Sequence, residues 1–261
     1  AIAWVIPQRL EDSINNNLGG HPEVRRQLGN WKIDWEQEHF TEYLIAVVLL
    51  YLLLLCFVFA FRYFLAGLYE APRLFMDTAT LIVLVSLPPC YYRTFLYDYA
   101  TLFLFTLALA LMARGKWRLF ILVFCLSCLN KETTILLTVV FAIHYRKKNH
   151  ISRKFYFGQI IFHVAFLVLV KLALMIIYWN NPSPAFGGGG FLDWHFFEHL
   201  RYTLVPFPIS TLVAWGVILA LIIRRWAEKP AFLKDGLWIL LPLLLIGLMF
   251  SFWYELRAYF E

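Results

Sequence analysis

Carboxylates and cations set in otherwise apolar sequence are the residues of this chain that could do chemistry. Asp98 stands in Tyr97-Asp98-Tyr99 where one apolar run opens. Lys131-Glu132 separates two further runs, Lys171 lies inside another, and Glu255 and Arg257 close the last. An ionised side chain at mid-bilayer costs about 2.5–3.5 kcal/mol on insertion scales, so such residues default to functional candidates. Ahead of the first long run, Glu11-Asp12 and Asp34-Trp35-Glu36 place carboxylates adjacent or one residue apart. Pairs of this kind can hold a divalent metal that neutralises a phosphate leaving group, and one carboxylate can act as general base. Each group also has a plainer reading. Asp98 suits the positive end of a helix dipole, worth about 0.3–1 kcal/mol. Lys131 and Glu132 could pair with each other to close a turn. Glu255 and Arg257 could be interfacial anchors, and acidic pairs are common in solvated loops.

Two other patterns carry less. His195-Phe196-Phe197-Glu198-His199 matches the H-x-x-E-H arrangement of inverted zinc peptidases, with both histidines on one helix face. A third ligand is missing: Glu228 belongs to a basic turn on the opposite side, and Glu255 sits beside Arg257. The segment reads as an aromatic interfacial turn, with no shared metal expected. Cys125-x-x-Cys128 lies within an apolar run, where packing is the expected role. Gly187–Gly190 gives a loose connection, and without a following Gly-Lys-Ser/Thr it is no phosphate loop.

The elements that must position these groups are membrane helices. Hydrophobic residues make up 61% of the chain and charged residues 15%, and several apolar runs approach the length that crosses about 30 Å of hydrocarbon. Many Trp and Tyr sit at run ends, as interfacial belts require. The net charge of +6 then belongs to cytoplasmic-loop lysines and arginines, which argues against a nucleic-acid partner. The expected fold is all-α, a polytopic membrane helix bundle. Residues 1–7 read as the tail of an earlier membrane helix, 8–42 as an acidic outer loop and 43–261 as the transmembrane helical domain. With no initiator Met and no signal peptide, the chain is expected to be a piece of a longer protein.

Spans are expected over about 43–64, 74–87, 97–113, 155–178, 209–223 and 237–254, the second stopping at Pro88-Pro89, where an amide donor is lost. The stretch 117–145 is the ambiguous one. As a single straight helix it would leave Lys131 and Glu132 at mid-membrane; as two short helices folded back it carries them to one surface. The positive-inside rule does not separate the two, since each model leaves a comparable excess of Lys and Arg on one side. The cost of the buried charges favours the hairpin. Asp98, Lys131, Glu132, Glu255, Arg257 and the acids of the first loop then share the outer side, with Lys171 toward it. Asp98 is expected to pair with Lys131, and Glu132 or Glu255 with Arg257, around an outward-opening cavity.

Taken together, Tyr97-Asp98-Tyr99 opening an apolar helix, Asn130-Lys131-Glu132-Thr133 at a break between short helices, and Tyr254-Glu255-Leu256-Arg257 near the end resemble a group of bacterial multi-spanning proteins similar to the GT-C glycosyltransferase superfamily. The resemblance covers roughly 43–261. It implies a GT-C-like helical membrane fold in the bacterial plasma (inner) membrane, with an active site on the outer face. The donor would be a polyprenyl-phosphate sugar lipid, and an acidic motif in the first outer loop would be catalytic. Glu11-Asp12 best matches that motif, with Asp34 and Glu36 as the reserve; Asp98, Lys131, Glu132, Lys171, Glu255 and Arg257 would bind substrate. A divalent metal ion is the cofactor this chemistry could use. The chain departs from the group in its nearly absent first helix, its lack of a soluble acceptor domain and its fewer spans. The alternative is a non-catalytic transmembrane subunit, its polar residues pairing structurally among membrane lipids and protein partners.

Overall fold

Long apolar runs almost free of glycine and proline satisfy their backbone internally by forming helices. The computed structural model describes residues 40–90, 96–146, 148, 151–177, 216–217 and 219–243, and within these the chain is all-helical. The helices are α1 (Phe40–Leu68), α2 (Arg73–Cys90), α3 (Leu96–Ala113), α4 (Trp117–Asn130), α5 (Ile135–Tyr145), α6 (Arg153–Ile177) and the short α7 (Ala231–Gly236). Short 3-10 turns lie at Glu132–Thr134, Trp226–Glu228 and Leu237–Ile239.

The chain divides into two compact units, residues 1–56 and 57–261. The described part of the first is the stretch 40–56 of α1, where Leu44, Val47, Val48, Leu52 and Leu55 are exposed. In the second unit α3 packs along α4, and α6 packs against both α4 and α5. Ala108 and Ala110 of α3 are fully buried, and small side chains of this kind let helix backbones approach closely. Phe120 and Phe124 of α4, Leu137, Val140 and Phe141 of α5 and Met112 of α3 form the centre of the core.

Residues 117–145 fold back. Trp117, which opens α4, meets Phe141 and Tyr145 near the end of α5, with ring centroids 5.6 and 5.0 Å away. A single straight helix would hold Trp117 and Tyr145 about 42 Å apart at 1.5 Å per residue. The break is at Lys131, whose backbone is extended at φ −153° and ψ 147°. The Thr134 hydroxyl donates to the Lys131 carbonyl at 2.7 Å, which offers the backbone a local alternative to continuing the helix. At the other end of α4, Gly115 takes φ +66°. Its amide donates to Met112 and that of Lys116 to Leu111, at 3.0 and 2.9 Å, a Schellman ending that favours glycine at this position.

α2 differs from expectation at its end. The helix continues to Cys90, so Pro88 and Pro89 form its last turn instead of lying beyond it. Proline's fixed φ is helical, and in a final turn the loss is confined to the amide donors that two carbonyls one turn earlier would have accepted. The two spans expected over 209–223 and 237–254 lie mostly outside the described residues.

α1 and α6 are long and apolar enough to cross a membrane; at 29 and 25 residues they reach about 43 and 37 Å. Only 11% of the most apolar window of each is buried, whereas the core helix of a soluble protein is mostly buried. On α6, Ile161, Val168, Leu169, Leu172 and Ile176 are exposed. Apolar faces of that extent mark contact with a partner or a membrane.

Candidate functional site

The hairpin tip gathers charge from three elements of the second unit. Asp98 lies in the first turn of α3 with no exposed surface. Lys131 is the extended residue between α4 and the 3-10 turn, and its ammonium donates to Asp98 Oδ1 at 3.4 Å. This is the pair the sequence suggested, at a length where hydrogen bonding is weak and Coulomb attraction dominates. One residue on, Glu132 Oε2 accepts from Lys171 Nζ of α6 at 2.6 Å. Asn130 Nδ2 donates to Thr101 Oγ1 at 2.8 Å, tying the last residue of α4 to the first turns of α3.

The plainer reading of the dipeptide falls here. Lys131 and Glu132 do not pair with each other; successive side chains of an extended backbone point to opposite sides, and each finds a different helix. Glu132 is met by Lys171, a partner the sequence reading did not give it; Arg257, which it offered, lies outside the described residues. Lys171 lies six residues before the end of α6, at the level of the hairpin tip, and that shared depth was the available signal. The Asn130–Thr101 contact carries no charge pattern and was not anticipated.

The two ion pairs differ in setting. The Lys131 and Asp98 side chains are 17% and 0% exposed, those of Lys171 and Glu132 29% and 66%. The first pair is therefore fixed in the protein interior. The second is the more open to its surroundings, chiefly on the Glu132 side.

Of the other candidates, Glu11, Asp12, Asp34 and Glu36, and likewise Glu255 and Arg257, lie outside the described residues. So do His195 and His199, and with them the metal-binding readings of those segments. The cavity expected beside the cluster would be bounded in part by Glu255 and Arg257, so it too falls outside. Cys125 and Cys128 are free thiols on α4, and Cys128 is buried in the core.

The opposite end of the second unit is basic. Arg114, Lys116 and Arg118 lie at the α3–α4 turn, Arg146 and Lys148 follow α5, Arg153 and Lys154 open α6, and Arg224, Arg225, Lys229 and Lys234 lie around α7. Arg114 Nη2 donates to the Tyr63 carbonyl at 2.8 Å, and its guanidinium lies 3.9 Å from the Tyr63 ring centroid. His144, at the end of α5, meets Asp235 of α7 at 2.7 Å, a contact the sequence gave no means of finding.

Comparison of the chain with family models, with curated proteins and with solved structures finds no match in any of the three.

Proposed function

We propose that this chain is a multi-pass membrane protein of GT-C-like type, transferring a sugar from a polyprenyl-phosphate donor to an acceptor on the outer face. The observation that carries the reading is the gathering of Lys131 and Lys171 at one end of the bundle, opposite the basic end. The positive-inside rule makes the basic end cytoplasmic, so the hairpin tip faces outward. The exposed apolar lengths of α1 and α6 support the membrane placement.

In the reaction, the bond between sugar C1 and the phosphate oxygen breaks while the acceptor oxygen bonds to C1 from the opposite face. The acceptor's proton passes to a carboxylate base, and the bonding pair leaves on the phosphate. Cations positioned where that charge develops supply electrostatic stabilisation. Lys171 suits this role better than Lys131, because its present counter-ion is exposed while that of Lys131 is buried. The energetics agree: an exposed ion pair contributes about 0.2–1 kcal/mol to stability, too little to explain a lysine within the long apolar run 164–177 of α6. The proposed base is Glu11 or Asp12, with Asp34 or Glu36 in reserve. Glu255 and Arg257 are assigned to the substrate.

One other reading has its own support. Among the described residues, all four charges at the tip have partners, the pattern of a structural staple in a non-catalytic subunit. Reconstituting the chain in vesicles with a panel of radiolabelled polyprenyl-phosphate sugars distinguishes the two. Consumption of one donor, with inversion at C1, supports the enzyme. Failure to bind or consume any of them, together with co-purification in a larger membrane complex, supports the subunit.

A further inference from the structure

A cavity of about 270 Å3 lies toward the basic end of the second unit. Phe64 of α1, Leu109 of α3, Ile222, Phe232 and Leu237 give it an apolar wall, and Lys229 is the charged residue that lines it. The volume is just below the ~300 Å3 at which small-molecule sites begin, which suits a single hydrocarbon chain. A wall with one cation has too few polar groups to orient a nucleotide or a sugar, and an open pocket with an apolar wall favours an apolar guest. Gly236 also lines the cavity; its backbone is helical at φ −63° and ψ −31°, and a Cβ built there meets nothing within 4 Å.

The charge beside the cavity is matched to an anion. Lys229 Nζ reaches the Leu221 carbonyl only at 3.4 Å, which leaves most of the donor capacity of an ammonium for another acceptor. The nearby carboxylates are already engaged, Glu228 with Arg225 at 3.3 Å and Asp235 with His144 at 2.7 Å. Arg224 and Lys234 add further positive charge to the same turn.

We propose that the cavity seats one acyl chain of an anionic phospholipid, with Lys229 and its basic turn holding the phosphate. The inference rests on the membrane placement given above, in which this end faces the cytoplasmic leaflet, where anionic lipids supply a negative surface. It does not depend on the sugar-transfer reading.

The test uses the full chain in phosphatidylcholine nanodiscs doped with either phosphatidylglycerol or phosphatidylcholine carrying a photoactivatable acyl chain. Labelled residues are then mapped by peptide mass spectrometry. The expected result is labelling at Leu233 and Leu237 that is about fivefold greater with phosphatidylglycerol, the preference one lysine near an anionic surface confers. K229Q should remove most of that preference, leaving only what Arg224 and Lys234 confer, and G236L, which fills the space, should abolish labelling there without unfolding the helix. Equal labelling by both probes in the unsubstituted chain overturns the proposal, as does labelling that survives G236L. A chain that never enters the nanodisc overturns the membrane placement as well, whereas one that enters and labels elsewhere overturns the cavity alone. Should G236L fail to fold, the comparison of probes in the unsubstituted chain and in K229Q still decides.

Discussion

Lys131 and Glu132 are neighbours in the chain, yet they are tied to different helices: Lys131 to Asp98 of α3 at 3.4 Å, Glu132 to Lys171 of α6 at 2.6 Å. The extended backbone at Lys131 sends the two side chains apart, so one dipeptide joins the α4–α5 hairpin to both flanking helices. The pairs are unequal in exposure: the Asp98 side chain is fully enclosed, whereas that of Glu132 is largely exposed.

Removing Lys131 should destabilise the protein. K131M withdraws one partner from a carboxylate with no exposed surface, and breaking a buried pair costs about 3–5 kcal/mol. The length of the contact favours the lower end of that range. Replacing both partners, D98L with K131M, should recover much of the loss. Unfolding in graded detergent denaturant measures both. A double variant as unstable as K131M alone would mean that Asp98 is held chiefly by other groups.

The fold-back sets the topology. In a chain stripped of its native cysteines, K116C and K148C should react with a membrane-impermeant thiol reagent from the same, cytoplasmic, side, and E132C from the other. The ring contacts of Trp117 with Phe141 and Tyr145 require the first pair to share an end. Labelling of 116 and 148 from opposite sides would contradict the hairpin and the outward tip together.

How far the sequence revealed this arrangement depends on what each contact needed. The hairpin was legible because Lys131-Glu132 breaks an apolar stretch at a point where a straight helix would bury both charges. The Asp98–Lys131 pair was legible because two opposite charges at matching depth have few alternatives. The Lys171–Glu132 pair needed the rotation of α6 about its axis, and a helix with only Gln159, His163 and Lys171 to mark a face gives a weak pattern from which to read it. The path of α2 through Pro88 and Pro89 was missed because a proline rule for helix interiors was applied to a last turn. The residues assigned to catalysis on resemblance lie outside those described, so the geometry bears on Asp98, Lys131, Glu132 and Lys171.

His163 of α6 offers a separate check on the core. It is fully buried, both ring nitrogens lack a hydrogen-bond partner, and its ring lies 4.3 Å from that of Phe124 and 5.3 Å from that of Phe120 by centroid. A buried polar group left unsatisfied costs about 1–3 kcal/mol. H163L should therefore stabilise the protein by about 1 kcal/mol, after allowing for lost ring packing, with the melting temperature as readout. A marked destabilisation would mean that the imidazole has a polar partner in the folded protein.

The most direct test of the central claim is the affinity of the reconstituted chain for a polyprenyl phosphate, measured for the unsubstituted protein and for K171Q. Hydrogen bonds to charged groups are worth about 1.5–3 kcal/mol, so losing this ammonium should weaken binding about tenfold or more. The melting temperature should hardly change, since the exposed pair with Glu132 contributes at most about 1 kcal/mol. Weakened phosphate binding at unchanged stability is the predicted result. Equal binding by the two proteins, or a K171Q that binds normally but unfolds early, would make Lys171 a structural staple and contradict the account.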